Sequence, residues 1–124
     1  MSIGNSTLDD YVEDAAHRQG RVVTGDTAPE QGFYFRSDHL EFANGNVPSL
    51  ETSPGIDFVG KPPGFGVEKR SDYIQNDYHK VTDQIKPGWD LKGAVEDLQV
   101  LLEVGYRVAQ DDGRPSWKPD APYH

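Results

Sequence analysis

The fold class this sequence predicts is an α/β layer, a few short parallel strands packed by helices. Three observations predict it. Helical and strand-like segments alternate along the chain. The last helical segment, residues 91–109, carries a continuous apolar stripe that needs a sheet or further helices to cover it. Only two short strand candidates appear, and two strands leave both sheet edges open. The chain therefore reads as the flank of a larger sheet.

Each element has a local reason. Ser6 is placed as an N-cap, with Asp9 in the first turn. Leu8, Val12, Ala15 and Ala16 then recur at helical spacing, and Gly20 closes the helix read over 7–19. Residues 21–24, "RVVT", are the first strand candidate, and "GDTAPEQG" after them is turn chemistry. Ser37 caps a short helix running to about Asn44, ended by Gly45. Residues 47–50, "VPSL", are the second strand candidate. Residues 51–77 hold four glycines and three prolines and read as one long loop, of a length that is commonly functional or disordered. Asp90 caps the long amphipathic helix, in which Leu91, Ala94, Val95, Leu98, Leu101, Leu102, Gly105 and Val108 form the stripe. The division expected is residues 1–110 as part of one catalytic-type domain and 111–124 as a polar, Pro-rich tail anchored by Trp117.

Bulk properties narrow the functional classes. The 124 residues set the size of one domain. A hydrophobic fraction of 35% and a mean hydropathy of −0.73 allow only a small core. The net charge of −9 argues against nucleic acid and against anionic membrane surfaces as partners. Without cysteine there are no disulfides and no thiolate metal sites, so the compartment is unknown from redox chemistry. No apolar run approaches a membrane span, and "MSIGNSTLDD" lacks the basic start and apolar stretch of a signal peptide. The sequence opens almost at once on a helix cap, as though within something larger.

Two clusters carry chemistry. "RSDH" sets Arg36, Ser37, Asp38 and His39 side by side, enough to build a polar pocket. The plainer reading is a capped helix with Asp38 at the positive end of its dipole. "NDYHKVTD" offers Asp77, Tyr78, His79 and Asp83. A neutral imidazole suits zinc, and a tyrosine hydroxyl can donate to a developing oxyanion. A surface loop with one titratable histidine explains the same residues. His17 and His124 read as solvent-facing. No HExxH, paired CxxC, GxSxG, GxGxxG or phosphate-loop pattern occurs.

Taken together, "GNSTLDDYVEDAAHRQGR", "FYFRSDHLEFANGNVPSL", "GIDFVGKPPGFG", "NDYHKVTDQIKPGWDLKGAVEDLQVLLEVGYRVA" and "RPSWKP" resemble the C-terminal portion of the di-zinc aminopeptidases, metallopeptidase family 28, relatives in fold of the glutaminyl cyclases. The resemblance covers nearly the whole chain, with motifs in the family's order and spacing. It implies part of a zinc-exopeptidase fold, a mixed sheet between helices with two zinc ions at the strands' carboxyl ends. The activity implied is removal of the N-terminal residue from peptides, in members typically found outside the cytoplasm. By this resemblance His79 matches the last zinc-ligand histidine and Tyr78 a tyrosine that polarises the scissile carbonyl. Phe33, Tyr34, Arg36, Asp38 and His39 fall where members shape the substrate pocket. The family's other ligands and its Glu base have no counterpart here: there is no His-x-Asp, no Glu-Glu pair and no Asn-x-Asp-Met. The expectation is a fragment that is inactive alone and binds no zinc stoichiometrically. Its partners would be the missing N-terminal half or a second copy. A non-catalytic protein-binding module and a glutaminyl-cyclase-like relative are the alternatives.

Overall fold

The computed structural model describes residues 5–123. His124 lies outside them. In order, the chain forms α1 (Leu8–Arg18), two 3-10 turns (Pro29–Gln31 and Phe33–Arg36), α2 (His39–Asn44), α3 (Phe65–Asn76) and α4 (Lys92–Gln110). Two compact units result. The first takes the described residues up to Ser53 together with those from Val95 onward, and the second is Pro54–Ala94.

In the first unit, α1 starts on a reciprocal cap. The Ser6 hydroxyl accepts from the Leu8 amide at 3.2 Å, and the Asp9 carboxylate accepts from the amides of Asn5 and Ser6 at 3.0 and 3.1 Å. Both side chains are buried, and these bonds satisfy donors that a helix start leaves open. Gly20 ends the helix at φ +70, the left-handed geometry only glycine takes without cost. The core lies between α1 and α4. Val12 and Ala15 meet Val100 and Val104, with Tyr11, Val23, Leu50 and Val108 around them. Asp14 joins Arg18 at 2.8 Å and Arg107 at 2.5 Å along the rim, and Arg18 pairs with Glu103. These exposed pairs fix register more than they add stability. The Thr7 amide donates to the Ser116 carbonyl and the Lys118 amide to Asn5, at 2.9 and 2.8 Å. Those bonds tie the segment after α4 to the start of α1.

The other face of α4 is open. Val95, Leu98, Leu102 and Tyr106 are 51%, 64%, 73% and 66% exposed. No charged residue interrupts this face, since positions 94, 101, 105 and 109 are also uncharged. A helix apolar on both sides suits an interior position. Among the described residues no helix is long and apolar enough to cross a membrane.

Two expectations are corrected. Residues 21–24 and 47–50 form no strand, and among the described residues β-pairing is confined to an isolated antiparallel bridge between Ser6 and Trp117. The described protein is thus mostly helical, with no parallel strands. A four-residue segment makes a strand only against a neighbour that completes its ladder. Neither segment meets one: Val22 stays 77% exposed, and the Ser49 hydroxyl turns back on the Val47 carbonyl.

The second correction is α3, which lies inside the stretch read as a loop. Its sequence hides it, because Phe65, Val67, Tyr73 and Ile74 do not share one helical stripe. Local contacts hold it instead. Lys61 and Lys69 lie over the Phe65 ring at 5.3 and 5.8 Å, and Asn76 donates to Asp72 one turn back. Buried Gly66 lies against the Ile56 backbone, so a Cβ there would stand 2.7 Å from the Ile56 carbonyl carbon. Helix propensity alone favours Gly66→Ala by about 1 kcal/mol. The clash with backbone reverses the sign, and the expected result is a loss on the order of 1–3 kcal/mol. Faster amide exchange across residues 69–76 in the variant is the readout, and slower exchange would show that the close approach does not matter.

Candidate functional site

The predicted site residues fall into two groups, one in each unit. In the first, the 3-10 turn Phe33–Arg36 leads directly into α2 and buries Tyr34 to 7% exposure. The Tyr34 ring meets His39 edge-on at 4.4 Å, Phe35 at 5.4 Å and Tyr123 at 6.1 Å. The Tyr34 hydroxyl and His39 Nε2 are both buried, and neither has a hydrogen-bond partner. Phe33 is half-buried, while Arg36, Ser37 and Asp38 are exposed. Sequence adjacency thus does not make "RSDH" one pocket: His39 turns towards Tyr34, and its three neighbours face outward.

Burial, followed by the nearby Tyr123, pushes the Tyr34 hydroxyl up to about 12. A consequence for stability follows. Between pH 10 and about 12 the unfolded phenol has lost its proton and the folded one keeps it. Stability is therefore full below pH 10 and falls as pH rises, by on the order of 1–2 kcal/mol. Tyr34→Phe removes this share of the dependence and, because the hydroxyl has no well-formed hydrogen bond, costs little below pH 10. Denaturant titrations at pH 9 and 11 check both points, and an equal drop in the two proteins would remove Tyr34 as its source.

In the second unit, a tight turn follows α3 and presents Tyr78 and His79. Their rings stack at 3.9 Å and 22°, both exposed. His79 sits at φ +59, a left-handed conformation uncommon for a residue with a side chain. The turn is fastened at many points. Asp77 and Tyr78 amides both donate to the Tyr73 carbonyl at 2.9 Å. Thr82 Oγ1 donates to the Asn76 carbonyl at 2.6 Å, and the Tyr73 hydroxyl to Asp83 at 3.0 Å. Lys86 pairs with Asp77 and holds its carboxyl below the usual range, whereas the bond to Asp83 raises the Tyr73 hydroxyl. Sequence reading singled out Asp77 and Asp83 but missed Tyr73 and Lys86. No signal marked Tyr73, because the segment before the turn was not read as a helix.

The described residues do not by themselves fit a zinc ion. A catalytic zinc takes three protein ligands, and no three His, Asp or Glu side chains gather among the described residues. His79 is a single exposed imidazole stacked on its neighbour.

Comparison with known proteins gives one family. Residues 2–102 match the family described as peptidase family M28. No curated protein and no solved structure gives a significant match.

Proposed function

The chain belongs to peptidase family M28, and from that premise we propose that it is the C-terminal part of a zinc aminopeptidase. The observation that carries this reading is the turn at 77–83, where a strained histidine and a tyrosine are held side by side at the surface. Left-handed non-glycine residues persist where the surroundings enforce them, and such strain clusters at functional sites.

In this reading His79 contributes one ligand to a zinc site whose remaining ligands and Glu base come from outside this chain. Zinc, when bound, supplies Lewis-acid chemistry for peptide hydrolysis. Tyr78 donates its hydroxyl hydrogen to the scissile carbonyl oxygen. By the family resemblance, Phe33, Tyr34, Arg36, Asp38 and His39 would shape the substrate pocket of an assembled enzyme, although this chain alone does not gather them into one pocket, and the substrate would be a peptide's N-terminal residue. Residues 21–24 and 47–50 become parallel strands when the rest of the sheet supplies their neighbours, which completes the α/β fold over residues 1–110, with 111–124 as a tail. The uncharged face of α4 packs against that sheet, or against a second copy when the sheet is absent. Nucleic acid and membranes are not partners.

Alone, the chain is inactive and has no tight zinc site. Calorimetric titration of the isolated chain with zinc is the direct check: one tight site per chain, lost in His79→Ala, overturns the reading. The open face of α4 equally favours a second reading, a non-catalytic protein-binding module. That reading predicts no hydrolysis in any assembly and no special cost at residue 79. A glutaminyl-cyclase-like reaction is less favoured, because it gives Tyr78 no role.

A further inference from the structure

The structure assigns Tyr73 the role of positioning residue for the Tyr78–His79 pair. The inference rests on the reading of that pair as ligand and donor, and it concerns what holds them in place.

Tyr73 reaches the turn on both sides of His79. Its carbonyl accepts from the amides of Asp77 and Tyr78, both at 2.9 Å. Its hydroxyl donates to Asp83 at 3.0 Å, on the far side of the histidine. Between these points its ring lies 5.9 Å from the Tyr78 ring, on which His79 stacks at 3.9 Å. One side chain near the end of α3 thus brackets the residue at φ +59. The amide of Lys80 donates to Asp77 at 2.9 Å and that of Asp83 to Lys80 at 3.1 Å. These bonds make the turn tight, but they lie within it and do not anchor it to the helix. Thr82 and Lys80 reach the last carbonyls of α3, those of Asn76 and Gln75, and Lys86 pairs with Asp77. Tyr73 touches both the Tyr78 ring and, through Asp83, the segment beyond His79. A group acting in catalysis must be held by neighbours whose own geometry is fixed. The Tyr73 hydroxyl is the part that can be removed without touching the backbone bonds.

The test uses the full 124-residue chain. Stacking on Tyr78 moves the His79 ring protons upfield in the NMR spectrum, and Tyr78→Ala gives their unstacked positions. In Tyr73→Phe these protons shift at least halfway to the Tyr78→Ala values. Exchange of the Lys80 and Asp83 amides rises about tenfold, as local opening becomes easier. The melting temperature stays the same, because Tyr73 is 41% exposed and its hydroxyl bond is a surface one. Asp83→Asn keeps an oxygen that accepts from Tyr73 and keeps the wild-type shift, whereas Asp83→Ala loses it. Unchanged His79 shifts in Tyr73→Phe overturn the inference. So does a lower melting temperature with α3 disturbed throughout, the mark of a residue that only supports the fold. If Tyr73→Phe frees the stacked pair but His79→Ala leaves the assembled peptidase active, the positioning role stands and the ligand reading falls.

Discussion

If His79 is a zinc ligand as proposed, His79→Ala is expected to abolish hydrolysis of leucine amide by the zinc-loaded peptidase assembled with this chain. This is the largest effect expected of any single substitution. Losing one of a few zinc ligands removes the metal, not just a contact to it. Tyr78→Phe acts differently. In the proposed role it deletes one hydroxyl that would face the carbonyl oxygen, and a single oxyanion donor is worth roughly 10²–10³ in turnover. A donor whose bond strengthens only in the transition state leaves substrate binding largely intact, so kcat falls and KM holds. The two variants therefore separate in zinc content: the first enzyme is metal-poor, the second fully loaded. The measurement is steady-state kinetics with metal analysis on the chain combined with the remainder of the catalytic domain. Full activity in His79→Ala, with folded and zinc-loaded partners, would falsify the assignment.

A second large effect separates the two faces of α4. Val104 is 5% exposed in the cluster with Val12, Ala15 and Val100. Val104→Asp places a carboxylate there without a cationic partner, at a cost of about 3–5 kcal/mol against a typical total of about 5–15 kcal/mol. The helical signal of the first unit is expected to melt far earlier or be absent at room temperature. Leu102, two residues away, is 73% exposed on the opposite face. Leu102→Asp changes the melt by no more than about 0.5 kcal/mol. It does place a charge in the uncharged surface that, in the proposed reading, an assembled enzyme or a second copy would cover. Association measured by light scattering across a concentration series is then lost while folding is kept. Equal destabilisation by both variants would mean that Leu102 is buried in solution. A compact wild-type monomer at every concentration would remove self-association.

Periodicity made α1 and α4 legible from sequence, because each buries a stripe and a stripe is written every three or four residues. Capping chemistry marked their starts: the Ser6 hydroxyl accepts from the Leu8 amide and Asp9 from the Ser6 amide, and Asp90 accepts from the Lys92 amide at 2.9 Å. The motif "NDYH" drew attention to Tyr78 and His79, but not to how they are held. That depended on α3, which has no stripe, and on Tyr73, whose role exists only once a helix and a turn bring residues 73 and 83 within 3.0 Å.

The sequence by itself determined the family and the helices α1 and α4, and it drew attention to residues 78–79. Tertiary structure decided the rest, for a physical reason in each case. A helix face can be read locally because its spacing is local. A strand cannot, because its backbone bonds belong to a neighbour, and residues 21–24 and 47–50 meet none. Burial likewise belongs to the assembly of side chains. The hydroxyl of Tyr34 and Nε2 of His39 lose water only because the turn at 33–36 and α2 bring their rings to 4.4 Å.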